Sequence, residues 1–411
     1  MSFRSYDPGR DREAVRRIWH EVGWLAPGRE EPMHWWLEAG PAFVAELDGA
    51  AECLVQTAPG SIRYLEEELP FVCISGVSTS RIARRQGLPR RLIAAALSEA
   101  VMEQGAVLAG LGIFDQGFYD QLGFGSGCYE HWVGFDPSQL TVGMRPRVPR
   151  RLGGEDWQTV HQSRLARRRG HGACNLRAAS FTRGDMLRSP KAAFGLGYCD
   201  GPNGELTHHF WCTPDDLEQG PYHVGWLTFQ SREQFLELMA LLRSFGDQVH
   251  LVRMREPQGI QLQDLLSRPF KQRAVSEGPR FGANMHSSAY WQMRICDLPG
   301  CLARTRLRGA EVRFNLRLSD PIERYLDGRS RWRGVGGEYV VTAGTSSGAE
   351  NGMDSALPTV SASVGAFTRL WLGVRPASGL AITDSISAPQ PLLEALDWAF
   401  LLPPPKPDWD F

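Results

Sequence analysis

Little in these 411 residues is arranged for metal binding, disulfide bridging or membrane crossing. The eight cysteines stand at 53, 73, 128, 174, 199, 212, 296 and 301, and no two form a C-x-x-C pair. Scattered singly, mostly in apolar runs, they read as reduced core residues of a cytoplasmic protein. No H-E-x-x-H or paired zinc spacing occurs, so no metal is expected. No apolar run approaches the roughly 20 residues that span a bilayer. The opening M-S-F-R-S-Y-D-P-G-R is not a signal peptide. An excess of one charge is also missing. The net charge of −1 gives no global pull towards nucleic acid or an anionic membrane. Neither is expected as a partner, and any basic site must be local.

What the chain does have is globular material, with 42% hydrophobic and 22% charged residues. At about 100–200 residues per domain, its length suggests two to four domains. The most informative stretch is 71–102, F-V-C-I-S-G-V-S-T-S-R-I-A-R-R-Q-G-L-P-R-R-L-I-A-A-A-L-S-E-A-V-M. Its apolar beginning reads as a buried strand. Leu92, Ile93, Ala96, Leu97, Ala100 and Val101 then recur at helical spacing. Between them lies a turn with Arg81, Arg84, Arg85, Gln86 and Gly87. A helix N-terminus carries unpaired N–H groups and a positive dipole end, and arginines add forked donors that suit phosphate. The turn is therefore a candidate pyrophosphate cradle. Its single glycine fits neither a P-loop nor a dinucleotide fingerprint. The plainer alternative is an ordinary strand–turn–helix with solvated arginines.

Around this stretch the order is strand, two helices, a hairpin turning at Asp48-Gly49, the cradle, a strand over 106–112, and a closing strand over 129–135. That alternation predicts one α/β domain over 1–143. Residues 144–151, M-R-P-R-V-P-R-R, read as an extended linker. A second unit over 144–287 repeats the order of elements. Its turn, L-T-F-Q-S-R-E-Q, has no glycine and one arginine, so the phosphate turn is expected to be lost there. A third unit over 288–411 has strands at 312–318, 339–343 and 360–362, a Gly/Ser-rich loop over 344–356, and helices over 364–372 and 391–400. It ends P-P-P-K-P-D-W-D-F.

The turn V-S-T-S-R-I-A-R-R-Q-G-L-P-R resembles the coenzyme-A motif of the GCN5-related N-acetyltransferases (GNAT), Q/R-x-x-G-x-G/A. Arg84, Arg85, Gln86 and Gly87 match its first four positions. Pro89 departs from the last and removes one backbone donor. The phrase G-F-Y-D-Q-L-G-F-G, the three-unit layout and the terminal phenylalanine are similar to the Eis-like branch of that family. The resemblance implies an α+β or α/β fold: two tandem GNAT-like mixed sheets flanked by helices, then a sterol-carrier-like α+β domain. It implies an acyltransferase that moves acetyl from acetyl-CoA to a primary amine of an aminoglycoside-like or polyamine-like molecule, or of a lysine. Val77, Ser78 and Thr79 would run beside the pantetheine arm. Arg84, Arg85, Gln86, Gly87, Leu88, Pro89 and Arg90 would hold the pyrophosphate, and Phe114 and Asp115 would flank the coenzyme. Tyr119 would be the acid for the leaving thiolate, and the carboxylate of Phe411 the base. A homo-hexamer is implied as well.

The chemistry is consistent with those roles. Amine attack on a thioester needs a neutral amine and therefore a base, and the departing thiolate needs a donor. Plainer readings stand beside each assignment. Tyr119 can be packing, and Phe411 a frayed tail. The arginine run over 164–169 reads as a solvated helix face. His208 and His209 project to opposite sides of a strand and read as core or surface histidines rather than ligands. Glu66, Glu67, Glu68, Asp408 and Asp410 read as solvated charge or as the lining of a pocket for a cationic substrate. His34, Trp35 and Trp36 read as packing or as part of the amine pocket. The rival function is an apolar-ligand-binding protein that uses the third unit.

Overall fold

The computed structural model describes residues 2–115, 117–269, 281–328 and 330–411. In chain order the elements begin β1 (Ser2–Ser5), α1 (Pro8–Glu21), α2 (Glu31–Leu37), β2 (Ala42–Leu47), β3 (Ala50–Tyr64), β4 (Glu67–Thr79), α3 (Leu88–Gln104), β5 (Leu108–Gly112) and β6 (Gly125–Ser126). There follow β7 (Glu130–Phe135), β8 (Arg150–Leu152), α4 (Trp157–Ala166), β9 (Cys174–Leu176), α5 (Ala179–Arg188), β10 (Phe194–Tyr198), β11 (His208–Pro214), β12 (Tyr222–Thr228), α6 (Arg232–Arg243), β13 (Val252–Arg255) and β14 (Asn284–Ser288). The rest comprises β15 (Trp291–Ile295), α7 (Leu298–Ala303), β16 (Val312–Ser319), β17 (Gly337–Ala343), β18 (Gly348–Asn351), β19 (Thr359–Ser363), α8 (Val364–Trp371), α9 (Ala377–Thr383), β20 (Ile386–Ser387) and α10 (Gln390–Ala399).

These elements form two compact units. One is made of the chain up to Cys128, of Gly170–Ala178 and of Ala289–Phe411; the other is made of Tyr129–Arg169 and Ala179–Ser288. The first unit holds a sheet in the order β1-β2-β3-β4-β5-β15-β6, with β9 added to β3, and a second sheet in the order β18-β17-β16-β19-β20. The other unit holds one sheet, β14-β7-β13-β12-β11-β10-β8. All three are mixed sheets flanked by helices, the α+β architecture expected from the alternation.

Local chemistry accounts for the first sheet. Asp48 and Gly49 both adopt positive φ, which turns β2 into β3 as a hairpin. Leu88, Leu92, Ile93, Ala96, Leu97 and Ala100 of α3 are buried against Val72, Ile74, Ala109 and Leu111 of β4 and β5. The strand expected to close the first unit, at 129–135, lies elsewhere: it is β7, paired with β13 and β14. Its place beside β5 is taken by β15, which arrives from the last third of the chain. The linker over 144–151 also does more than extend, since its end is β8, an edge strand on β10. Inside the Gly/Ser-rich loop, β18 pairs with β17. Such a strand is invisible to a pattern search because glycine and alanine show no alternation of polarity.

Candidate functional site

In the first unit, β4 and β5 run parallel but pair only through Phe71↔Leu108, Val72↔Ala109 and Cys73↔Gly110. Beyond Cys73, β4 is paired with β3 alone among the described residues. A bulge contributes to the parting. Leu54 pairs with Ser78 and Gln56 with Ser75, so Gly76 and Val77 together face Val55. A bulged strand bends and twists away from its flat neighbour. The edge of β4 that carries Val77, Ser78 and Thr79 thus borders an open slot. The Ser78 side chain is engaged away from it: the hydroxyl accepts from Trp19 Nε1 at 3.0 Å and donates to the Gly76 carbonyl. Ser80 N donates to the Glu52 carbonyl of β3, so by alternation the main-chain groups that face the slot are those of Val77 and Thr79.

The basic turn lies at the end of β4. Arg85 has a φ of 62° and Gly87 a φ of 72°. Positive φ is ordinary for glycine but costs an arginine about 1–2 kcal/mol, and such strain clusters at ligand clamps. Arg84, Arg85 and Gln86 are exposed. Neither Arg84 nor Arg85 has a partner among the described residues. Gly87 starts α3 without a side-chain cap, and Pro89 stands in the first turn. The N–H groups of Leu88 and Arg90 therefore remain available to an anion. Arg90 lies 5.0 Å from the Phe118 ring, with its Nε buried and unpartnered.

The corresponding helix of the other unit differs. β12 and β13 also run parallel for three pairs, Tyr222↔Val252 to Val224↔Met254, and α6 follows β12. But Ser231 accepts from Gln234 N, and Gln234 Oε1 accepts from Gln230 N at 2.8 Å. Ser231 thus satisfies the counterpart of the Arg90 N–H that α3 leaves open.

Tyr119 begins a 3₁₀ turn, Asp120–Leu122, and its carbonyl accepts from Leu122 N at 2.9 Å and Phe124 N at 3.2 Å. Its ring meets Phe118 edge-on at 4.9 Å and Phe124 at 6.2 Å. It is 6% exposed, yet its hydroxyl has no hydrogen-bond partner among the described residues. Burial, and secondarily the charge of Asp115, pushes the phenol up to about 12. Phe114 and Asp115 follow β5 and are exposed, Phe114 at 88%.

Phe411 stands at the end of the slot. Its main-chain oxygen overlies Gly112, the last residue of β5, where a methyl group would come within 3.1 Å of it. The ring lies 5.7 Å from that of Phe71, which packs on Gly110. The approach is anchored: Lys406 N donates to the His171 carbonyl at 3.0 Å, Cys174 N donates to the Pro407 carbonyl at 2.8 Å, and Trp409 is buried. A frayed tail is thereby ruled out. Alternation along β4 and β5 divides the sheet faces. Val72, Ile74, Ala109 and Leu111 point into the α3 cluster that contains Tyr119, whereas Phe71 and Gly110 carry Phe411 on the opposite face.

Other sequence candidates resolve as structure. Arg164 and Arg167 are buried, which corrects the expected solvated face: Arg164 lies 4.6 Å from the Trp226 ring and pairs with Asp185. His209 is fully buried, and desolvation holds it down at about 3. Among the described residues one group has metal-ligand geometry, Asp200, His208 and Glu237. The Arg147 guanidinium already donates to both carboxylates at 2.7 Å, filling the place of a cation. The string Gly344-Thr345-Ser346-Ser347-Gly348 spells a nucleophile elbow. It lies between β17 and β18 instead of between a strand and a helix. Sequence reasoning missed Gln292, Arg294 and Asp320, which surround the tyrosine turn from β15 onward. A glutamine and an arginine alternating with Trp291, Met293 and Ile295 on a central strand were the available signal.

No family model and no curated protein matches the sequence. Solved structures do match it over its whole length. A GCN5-related N-acetyltransferase from Anabaena variabilis superposes with a TM-score of 0.79 at 14% identity, covering 100% of both chains. One from Kribbella flavida gives 0.74 at 18% identity, covering 100% of this chain and 98% of its own. Eis1 from Mycobacterium abscessus gives 0.75 at 14% identity, again covering 100% of both. From end to end, the chain has the fold of the GCN5-related N-acetyltransferases, the Eis protein among them.

Proposed function

We propose that this protein is an acetyl-CoA-dependent N-acetyltransferase acting on a primary amine of a cationic small molecule or a lysine side chain. One observation carries the reading: β4 and β5 part after Cys73 and Gly110, directly before an uncapped helix N-terminus flanked by unpaired arginines. A free strand edge suits an amide-containing pantetheine arm, and the turn suits a pyrophosphate.

Bound there, acetyl-CoA supplies an activated acyl thioester. The residues of the chain do the rest. The main chain over 77–79 pairs with the arm, and Arg84, Arg85 and the N–H groups of Leu88 and Arg90 hold the phosphates. The carboxylate of Phe411 accepts the proton released as the amine nitrogen forms its bond to the acyl carbon. The carbon–sulfur bond then breaks, and Tyr119 donates to the departing thiolate. The two groups lie on opposite faces of the sheet, so base and donor approach the same carbon from different sides.

Thiol release from acetyl-CoA is the test, run across aminoglycosides, polyamines and lysine peptides. Y119F and a one-residue extension after Phe411 are each expected to lower kcat roughly 100-fold, with acetyl-CoA binding retained by calorimetry. Absence of thiol release with every amine overturns the reading. Full turnover in both variants overturns the mechanism alone.

A further inference from the structure

The turn that presents Tyr119 is gripped by a strand from a distant part of the sequence. β15 lies between β5 and β6, with Gln292 opposite Leu111 and Ser126. Gln292 Nε2 donates to Asp120 Oδ1 at 2.5 Å and to Ser126 Oγ at 3.2 Å. Two residues on, along the same face, Arg294 Nη1 donates to the Leu122 carbonyl. Asp120 and Leu122 are the two ends of the 3₁₀ turn that Tyr119 begins.

Arg294 is itself immobilised. Its Nη2 donates to Asp320 Oδ2 at 2.7 Å, and its guanidinium lies 5.3 Å from the Trp332 ring. Asp320 also accepts from Val335 N at 2.9 Å and Ile322 N at 3.1 Å. The Arg294 and Asp320 side chains are 0% and 1% exposed. Gly123 follows the turn with a φ of 80°, and a Cβ there would strike Val364 and stand 3.1 Å from Arg294 Nη1. The first glycine of G-F-G is thus required by its positive φ and by the closeness of Val364 and Arg294.

A buried ion pair is weak evidence for stability, because apolar replacements are often neutral or stabilising. The phenol, meanwhile, has no hydrogen bond among the described residues to aim it, so its direction follows from the backbone beneath it. We propose that Gln292 and Arg294 are positioning residues that fix the 119–124 turn so that the Tyr119 hydroxyl points at the slot. The proposal rests on the reading of Tyr119 as the thiolate's donor. It makes the last third of the chain responsible for aiming a side chain of the first.

The test uses the full chain and two single substitutions that leave the ion pair untouched, Q292L at the buried end and D120A at the exposed end. Both are expected to lower kcat roughly 10- to 100-fold, the effect of a misplacement near 1 Å. KM for acetyl-CoA and the thermal midpoint should stay near those of the parent for D120A. D120N keeps an acceptor for Gln292 and should restore most of the rate. In a Y119F background, Q292L and D120A should cost nothing further. An equal loss in both backgrounds overturns the proposal, as does an unchanged kcat or a rise in KM without a fall in kcat. If Y119F alone leaves kcat unchanged, the role of Tyr119 falls and the positioning role falls with it. That outcome is distinct from the others.

Discussion

Tyr119 is a phenol whose surroundings hold its proton. Burial, aided by Asp115, raises it to about 12. In the proposed role the donating form is the protonated one, so raising the value widens the range over which Tyr119 would serve. A pH profile of kcat/KM should therefore rise as the substrate amine and its base deprotonate, then stay level past pH 10. Y119F should lower the plateau without moving the acidic limb. A fall beginning below pH 10 in the parent and absent from Y119F would contradict this. Arg147 shows the opposite case among charged residues. It holds the Glu237 carboxyl down at about 2, chiefly by hydrogen bonding, and so turns an apparent ligand cluster into a closed ion pair.

Helices of similar place differ by what fills their first turns. α6 caps itself with Ser231 and Gln234, whereas α3 opens on Gly87 and leaves its donors free. Removing a cap costs about 1 kcal/mol of stability, whereas removing a charged phosphate donor weakens binding by about 1.5–3 kcal/mol. S231A should accordingly lower the unfolding free energy and leave KM for acetyl-CoA alone. R84A and R85A should do the reverse, raising KM roughly tenfold or more with stability unchanged. Equal KM effects at both helices, measured by steady-state kinetics beside chemical denaturation, would deny that only α3 carries an anion.

Across the molecule, the first sheet is assembled from distant segments. β15 separates β5 from β6, and β9 extends β3 from within the middle of the chain. A fragment of residues 1–143 lacks both, leaving the edge of β5 unpaired and the tyrosine turn without Gln292 and Arg294. Exposed strand edges invite aggregation. The fragment should show no cooperative thermal transition by circular dichroism and should precipitate or bind a hydrophobic dye, and co-expression with 170–411 should restore folding. A soluble, cooperatively folded fragment would mean that β15 is dispensable to the sheet.

Periodicity and turn chemistry made the elements around the slot legible. Asp48-Gly49 set the hairpin, the spacing from Leu92 to Val101 marked α3, and the arginines before Gly87 marked a candidate anion cradle; these are local signals that need no knowledge of contacts. Residues 129–135 were a strand by pattern, yet no pattern states which sheet a strand joins, and β7 joined the other one. Arg164 and Arg167 read as solvated because charge alone predicts exposure; Trp226 and Asp185 are far away in sequence and supply what burial needs. By itself the sequence determined that a strand, a basic turn and a helix would stand in a row. Only the tertiary structure decided that β4 would part from β5 in front of them, that Phe411 would be anchored over Gly112, and that β15 would grip the Tyr119 turn. Each of these depends on pairing between residues far apart in sequence, whose partners are chosen by burial and hydrogen-bond satisfaction across the whole fold.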